Sequence, residues 1–214
     1  MTRVLVSGCG ISFSGERPTW TKMLRILGVD IVDYTGPAIS NTTILNNLFD
    51  ALEHDQATHV VCQLTSAGKL DVDATPARSE LWEQDTLRNF TWQGIWPSST
   101  SRVHQSKQQY YQWLYSPQQE QRDLAHKLNY LKLLCETKGV KLYVIQGYAL
   151  TWDRDMWFDT TYDIQNSYRN NSVYALHDHS DSNTVPCRQF QYKLAHKINS
   201  EFLKLDIDID KFAG

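Results

Sequence analysis

Short apolar runs alternate with longer amphipathic stretches along this chain. Arg3-Val4-Leu5-Val6-Ser7 sets three aliphatic residues in a row, the pattern of a strand buried on both faces. Trp20, Met23, Leu24 and Leu27 then repeat at helical spacing, with Pro18 suited to the helix start and Gly28 to its end. Val29–Val32 predicts a second strand. A second helix follows, capped by Ser40 or Asn41, with Leu45, Leu48, Phe49 and Leu52 on one face. His59-Val60-Val61-Cys62 reads as a third strand. Ser116-Pro117-Gln118-Gln119 combines a capping serine, a proline at the first helical position and a glutamine three residues after the cap. Leu124, Leu128, Leu131 and Cys135 share the face of the helix it starts, and Gly139 ends it. Val140–Ile145 predicts a fourth strand and Val173–Leu176 a fifth. Pro186 starts a last helix, with Phe190, Leu194, Ile198 and Phe202 on one side.

This alternation predicts an α/β fold, a parallel sheet with helices on both faces. Ligands of such open sheets sit beyond the carboxyl ends of the strands. Ser12, Gly36–Asn41, Gln63–Lys69 and Gln146–Tyr148 are therefore expected on one rim. Residues 1–214 show no internal repeat and no linker, which predicts a single domain.

The middle departs from the pattern. Trp82, Phe90, Trp92, Trp96, Tyr110, Tyr111, Trp113 and Tyr115 crowd into one segment with no clean period. Residues of about 75–115 are read as an aromatic-rich insertion: either a lid over the rim, where aromatic faces suit sugar rings, or an irregular subdomain filled with Trp.

Composition narrows the classes. The 214 residues are 41% hydrophobic and 21% charged, and the net charge of −3 offers no polycation for nucleic acid. No apolar run approaches the roughly 20 residues of a membrane span. Met1-Thr2-Arg3 leads straight into the first strand, so no secretory leader is expected. Cys9, Cys62, Cys135 and Cys187 lie far apart with no Cys-x-x-Cys. They read as reduced thiols of a cytoplasmic protein, with Cys62 and Cys135 in the core.

Three short blocks together resemble the SGNH/GDSL hydrolase superfamily. Gly10-Ile11-Ser12-Phe13-Ser14 after the first strand is similar to the Gly-x-Ser-Phe-Ser version of virus- and bacterium-encoded members, and Trp20 follows as it does there. Gly36-Pro37-Ala38-Ile39-Ser40-Asn41 is similar to the second block. The third block departs: Gln63-Leu64-Thr65-Ser66-Ala67-Gly68 stands where the family has Gly-x-Asn-Asp. Before the last helix, His177-Asp178-His179-Ser180-Asp181 supplies acid and imidazole, but aligning Pro186 with the family proline puts Val185 at the histidine position. The resemblance implies a three-layer flavodoxin-like sandwich with a central parallel sheet of about five strands.

It also implies a site. A serine hydroxyl needs a base within reach, and the base needs orienting. Ser12 is the candidate nucleophile, with Ser14 an equal candidate as a helix cap. His179 or His177 is the candidate base, with Asp178 or Asp181 as orienter; a solvated polar loop is the bland alternative for both imidazoles. Backbone N–H groups of Ser12 and of the Gly36–Ala38 turn, with Asn41 or Gln63, are the oxyanion-hole candidates. Asn41 serves equally as a helix cap, and Gln63 as a buried amide tying two loops. Thr65, Trp92, Trp96 and Tyr148 are the substrate-binding candidates.

Two rivals are weaker. His177-x-His179 lacks a distant third metal ligand. Asp206-Ile207-Asp208-Ile209-Asp210 imitates the start of a calcium loop, but Lys211 replaces the required glycine; it reads as an acidic tail or a charged edge strand. The expectation is therefore a serine esterase without metal or cofactor. It acts on a small-molecule or glycan ester, an O-acetyl carbohydrate by family habit, with no nucleic-acid or membrane partner and an open oligomeric state. The alternative is an inactive protein of the same fold that binds a glycan or a protein.

Overall fold

In the computed structural model, which describes residues 2–8, 19–36, 39–65, 71–72, 90–91, 113–114, 116–146, 162–163 and 188–212, the strands are β1 (Arg3–Ser7), β2 (Asp30–Asp33), β3 (His59–Leu64), β4 (Asp71–Val72), β5 (Phe90–Thr91), β6 (Lys141–Gln146) and β7 (Tyr162–Asp163). The helices are α1 (Trp20–Ile26), α2 (Asn41–His54), α3 (Pro117–Lys138) and α4 (Arg188–Lys197). The main sheet has the order β2-β1-β3-β6-β7, and every pairing in it is parallel. β7 is only two residues long, and the expected strand Val173–Leu176 lies outside the described residues. β4 and β5 form a separate antiparallel pair.

The strands alternate their side chains between two apolar layers. Val4, Val6, Val61, Tyr143 and Ile145 pack with Trp20, Met23 and Leu24 of α1 and Leu194 and Ala195 of α4. Leu5, Val60, Cys62, Leu64 and Val144 pack with Ile44, Leu45 and Leu48 of α2 and Leu124, Leu128 and Leu131 of α3. Helices thus cover both faces, which is why β1 and β3 tolerate no alternation of apolar and polar residues. A long-range tie joins the ends of one layer. Buried Gln191 of α4 accepts a hydrogen bond from the Trp20 N–H, 2.9 Å away and 171 residues earlier.

Local chemistry sets the helix ends. Thr19, Ser40 and Ser116 are the N-caps, each accepting an N–H three residues on. Of the two candidates for α2, Ser40 is the cap. Gly139 ends α3 at φ 67°, the left-handed region, with nothing within 4 Å of where a Cβ would stand. Its replacement therefore tests conformation alone. Gly139→Ala is expected to cost about 1–2 kcal/mol and to lower the melting temperature by about 2–8 °C, measured by thermal unfolding.

The last helix does not run straight through to Phe202 as an α-helix. It passes into a π-helical turn, Ile198–Leu203, closed by Lys204 at φ 54°. Asn199 then clasps the chain: its Nδ2 donates to the Leu205 carbonyl at 3.0 Å, and its Oδ1 accepts the Leu205 N–H at 3.1 Å. The acidic tail is not an edge strand. Residues 204–209 pair with no strand among the described residues, and Leu205, Ile207 and Ile209 turn toward the α1/α4 layer while Asp206 and Asp208 stay exposed. Among the described residues no helix is long and apolar enough to cross a membrane.

Candidate functional site

The parallel register brings the carboxyl ends of β1, β2 and β3 side by side. Ser7 lies opposite Cys62, and Val6 opposite Asp33. Beyond these pairs, the Tyr34 N–H donates to the Val6 carbonyl at 2.8 Å and the Gly36 N–H to the Gly8 carbonyl at 3.0 Å. The β2–α2 connection is thereby stitched to the end of β1. Thr35 adds a local turn, its N–H donating to Asp33 Oδ1 at 2.9 Å.

Gly8 abuts fully buried Gln63 on β3. A Cβ at Gly8 would stand 2.8 Å from Gln63 Cβ and 2.9 Å from its Oε1. Glycine is needed here for contact. Gly8→Ala should cost about 1–3 kcal/mol, because Gln63 must shift in a packed layer. Urea unfolding measures it; a loss below about 0.5 kcal/mol would mean the two strands part without strain.

Asn41 and Thr65 form the second tie of the rim. Asn41 Oδ1 accepts the Thr65 N–H at 2.8 Å, and Asn41 Nδ2 donates to the Thr65 carbonyl at 3.2 Å. Both residues are buried. The loop after β3 is thus held by the first residue of α2. The Thr65 hydroxyl has no partner among the described residues. Lys127 of α3 reaches the same turn, its Nζ donating to Thr42 Oγ1 at 3.1 Å.

This geometry corrects two expectations. The Gly36 N–H is engaged by the Gly8 carbonyl and does not face outward as an oxyanion donor. Asn41 is not the cap of α2; its amide clamps Thr65, with one Nδ2 hydrogen left unpaired among the described residues. Long-range pairing of this kind leaves no local mark in a sequence. The four rim residues Gly36, Asn41, Gln63 and Thr65 do lie at the carboxyl end of the sheet as expected. Ser12, Ala38, Trp92, Trp96, Tyr148, His177, Asp178, His179 and Asp181 lie outside the described residues.

The two thiols among the described residues are unsuited to chemistry. Burial raises the Cys62 thiol far above its usual range, and Cys135 is pushed up to about 11, mainly by burial and then by Glu136. Both stay protonated and inert at neutral pH. Tyr34 is also raised, first by its hydrogen bond to Asp55 Oδ2 at 2.9 Å. It is a strut between β2 and the end of α2. Among the described residues no three His, Cys, Asp or Glu side chains converge as metal ligands. Searches against protein-family models and against curated proteins found no match for this chain.

Proposed function

We propose that this chain is an SGNH-like serine esterase with a flavodoxin-like three-layer sandwich and an aromatic-rich insertion at about residues 75–115. The observation that carries the reading is the stitched rim. Gly8, Gly36, Gln63 and the Asn41–Thr65 tie hold the ends of β1, β2 and β3 together, and Ser12 follows Gly8 by four residues. The strand order supports it as well. With the separate β4–β5 pair set aside, β2-β1-β3-β6-β7 is the doubly wound order 2-1-3-4-5, whose ligand site lies at the β1/β3 switch point.

In this mechanism Ser12 Oγ attacks the ester carbonyl while His179 takes its proton, Asp178 or Asp181 holding the imidazole. The carbon–oxygen bond of the tetrahedral intermediate breaks, and the alcohol leaves with the proton from His179. Water, deprotonated by the same base, then releases the acid and restores Ser12. With the Gly36 amide engaged, the oxyanion donors are the Ser12 and Ala38 N–H groups, helped by the remaining Asn41 Nδ2 hydrogen or Gln63. The ester class is an O-acetyl carbohydrate, its ring against Trp92, Trp96 or Tyr148. Neither metal nor cofactor takes part, and no nucleic acid or membrane.

The engaged Gly36 amide and the departed third and fourth blocks favour one second reading, a non-catalytic binder of a glycan or protein on the same rim. One experiment separates the two. The protein is treated with a fluorophosphonate and digested, and the peptide carrying Ser12 is weighed. A phosphonyl adduct on Ser12, together with hydrolysis of an acetylated sugar, supports the esterase. No adduct, with retained glycan binding, overturns it in favour of the binder.

A further inference from the structure

His59 opens β3 at the amino end of the sheet, opposite the rim. It is buried, and its Nδ1 lies 2.9 Å from Thr58 Oγ1. That hydroxyl has a single hydrogen, and it donates to the Arg3 carbonyl at 3.0 Å while accepting the Arg3 N–H at 3.1 Å. The oxygen therefore faces His59 as an acceptor, so Nδ1 carries the imidazole proton. Nε2 is left with its lone pair, buried and without a partner among the described residues. The ring of Phe202, on the π-helical turn, stands perpendicular to the imidazole at 5.0 Å between centroids, and lies 4.9 Å from Tyr143.

We propose that His59 is a proton-operated latch on the carboxyl-terminal segment: a proton on Nε2 expels the imidazole from its apolar seat, releases Phe202 and loosens residues 198–212 while the sheet stays folded. Protonation would bury an N–H and a positive charge together, with no acceptor for either among the described residues. The charged and titratable groups on the packed elements offer no relief. Lys141 is the register partner of His59 on β6 and repels it. Arg3 on β1 is cationic and already paired with Asp30 and Asp55. Flanking the turn are the cations Lys197 and Lys204, and Glu201 on the turn is engaged by Lys197. Tyr143, beside Phe202, brings no carboxylate. Desolvation, then Lys141, accordingly holds the imidazole below its ordinary value.

The sign follows. The released state binds the proton more readily than the latched one, so the latch is whole above the ordinary histidine value and opens as pH falls through the lower, latched value. The turn is suited to respond. A π-helical turn closed by a non-glycine residue in the left-handed region is a strained join.

Hydrogen exchange at each amide tests this between about pH 8 and about pH 5, corrected for the intrinsic pH dependence, alongside the NMR titration of the His59 ring protons. Exchange in 198–212 is expected to rise severalfold, with its midpoint on the His59 titration, while α2 amides stay protected. His59→Phe, which keeps the ring contact and cannot protonate, is expected to remove the step. A step that persists in His59→Phe, or wild-type exchange in 198–212 that does not follow His59, overturns the latch. Equal loss of protection in α2 also overturns it. Should His59→Phe fail to fold, the coincidence of the two wild-type midpoints decides.

Discussion

Ser12→Ala is expected to lower ester hydrolysis by at least about 10³-fold and to abolish fluorophosphonate labelling, while the melting temperature stays with that of the wild type. The size of the loss follows from what the hydroxyl does. In the proposed reaction, removing the nucleophile would forbid the acyl-enzyme, leaving substrate binding and whatever the oxyanion donors give a water molecule. An inactive Ser12→Ala protein with an unchanged melting temperature separates lost chemistry from lost fold. Hydrolysis that survives the substitution would remove Ser12 from the reaction. His179→Ala is the companion variant: a comparable loss, not multiplied when the two are combined, marks residues that work as one unit.

The second large effect concerns the rim itself. Asn41→Ala is expected to cost about 2–4 kcal/mol, because it strands the buried Thr65 N–H and carbonyl together. Asn41→Asp should also destabilise: it keeps an acceptor for the Thr65 N–H and sets a carboxylate at the amino end of α2, but it turns an acceptor oxygen on the buried Thr65 carbonyl. Urea unfolding of both variants against wild type measures the losses. An alanine variant within about 0.5 kcal/mol of wild type would show that water replaces Asn41 and that the tie is not what joins α2 to β3.

The fold was readable where burial or local chemistry decides the structure. Val4–Val6 and Val60–Cys62 are unbroken by polar residues because helices cover both faces of the sheet, and an unbroken run is visible in one dimension. Ser116, Pro117 and Gly139 bracket α3 because capping acts within a few residues. Asn41 shows the limit. Beside Ser40 it has the composition of a cap, and only its partner 24 residues on reveals its role. The tail shows another. Leu205, Ile207 and Ile209 have the period of a strand, but the segment rests on side chains of the core, turns on the Ile207 N–H bond to the Leu205 carbonyl, and pairs with no strand among the described residues. The π-helical turn carries no compositional mark at all. At the site, the ends of β1, β2 and β3 were placed by topology, whereas the hydrogen bonds that occupy Gly36 and Asn41 depend on loops meeting in space.

The bond from the Trp20 amide to Gln191 has a consequence for how the molecule is made. Trp20 and its layer wait on a helix 171 residues downstream. On a ribosome adding about 5–20 residues per second, that is a delay of roughly 10–30 s. Through that interval the α2/α3 side of the sheet can close as soon as β6 arrives, but the apolar wall that receives α4 has only α1 to cover it. A chaperone that shields apolar surface would find its target there, and a chain truncated before Gln191 would keep that wall exposed for good.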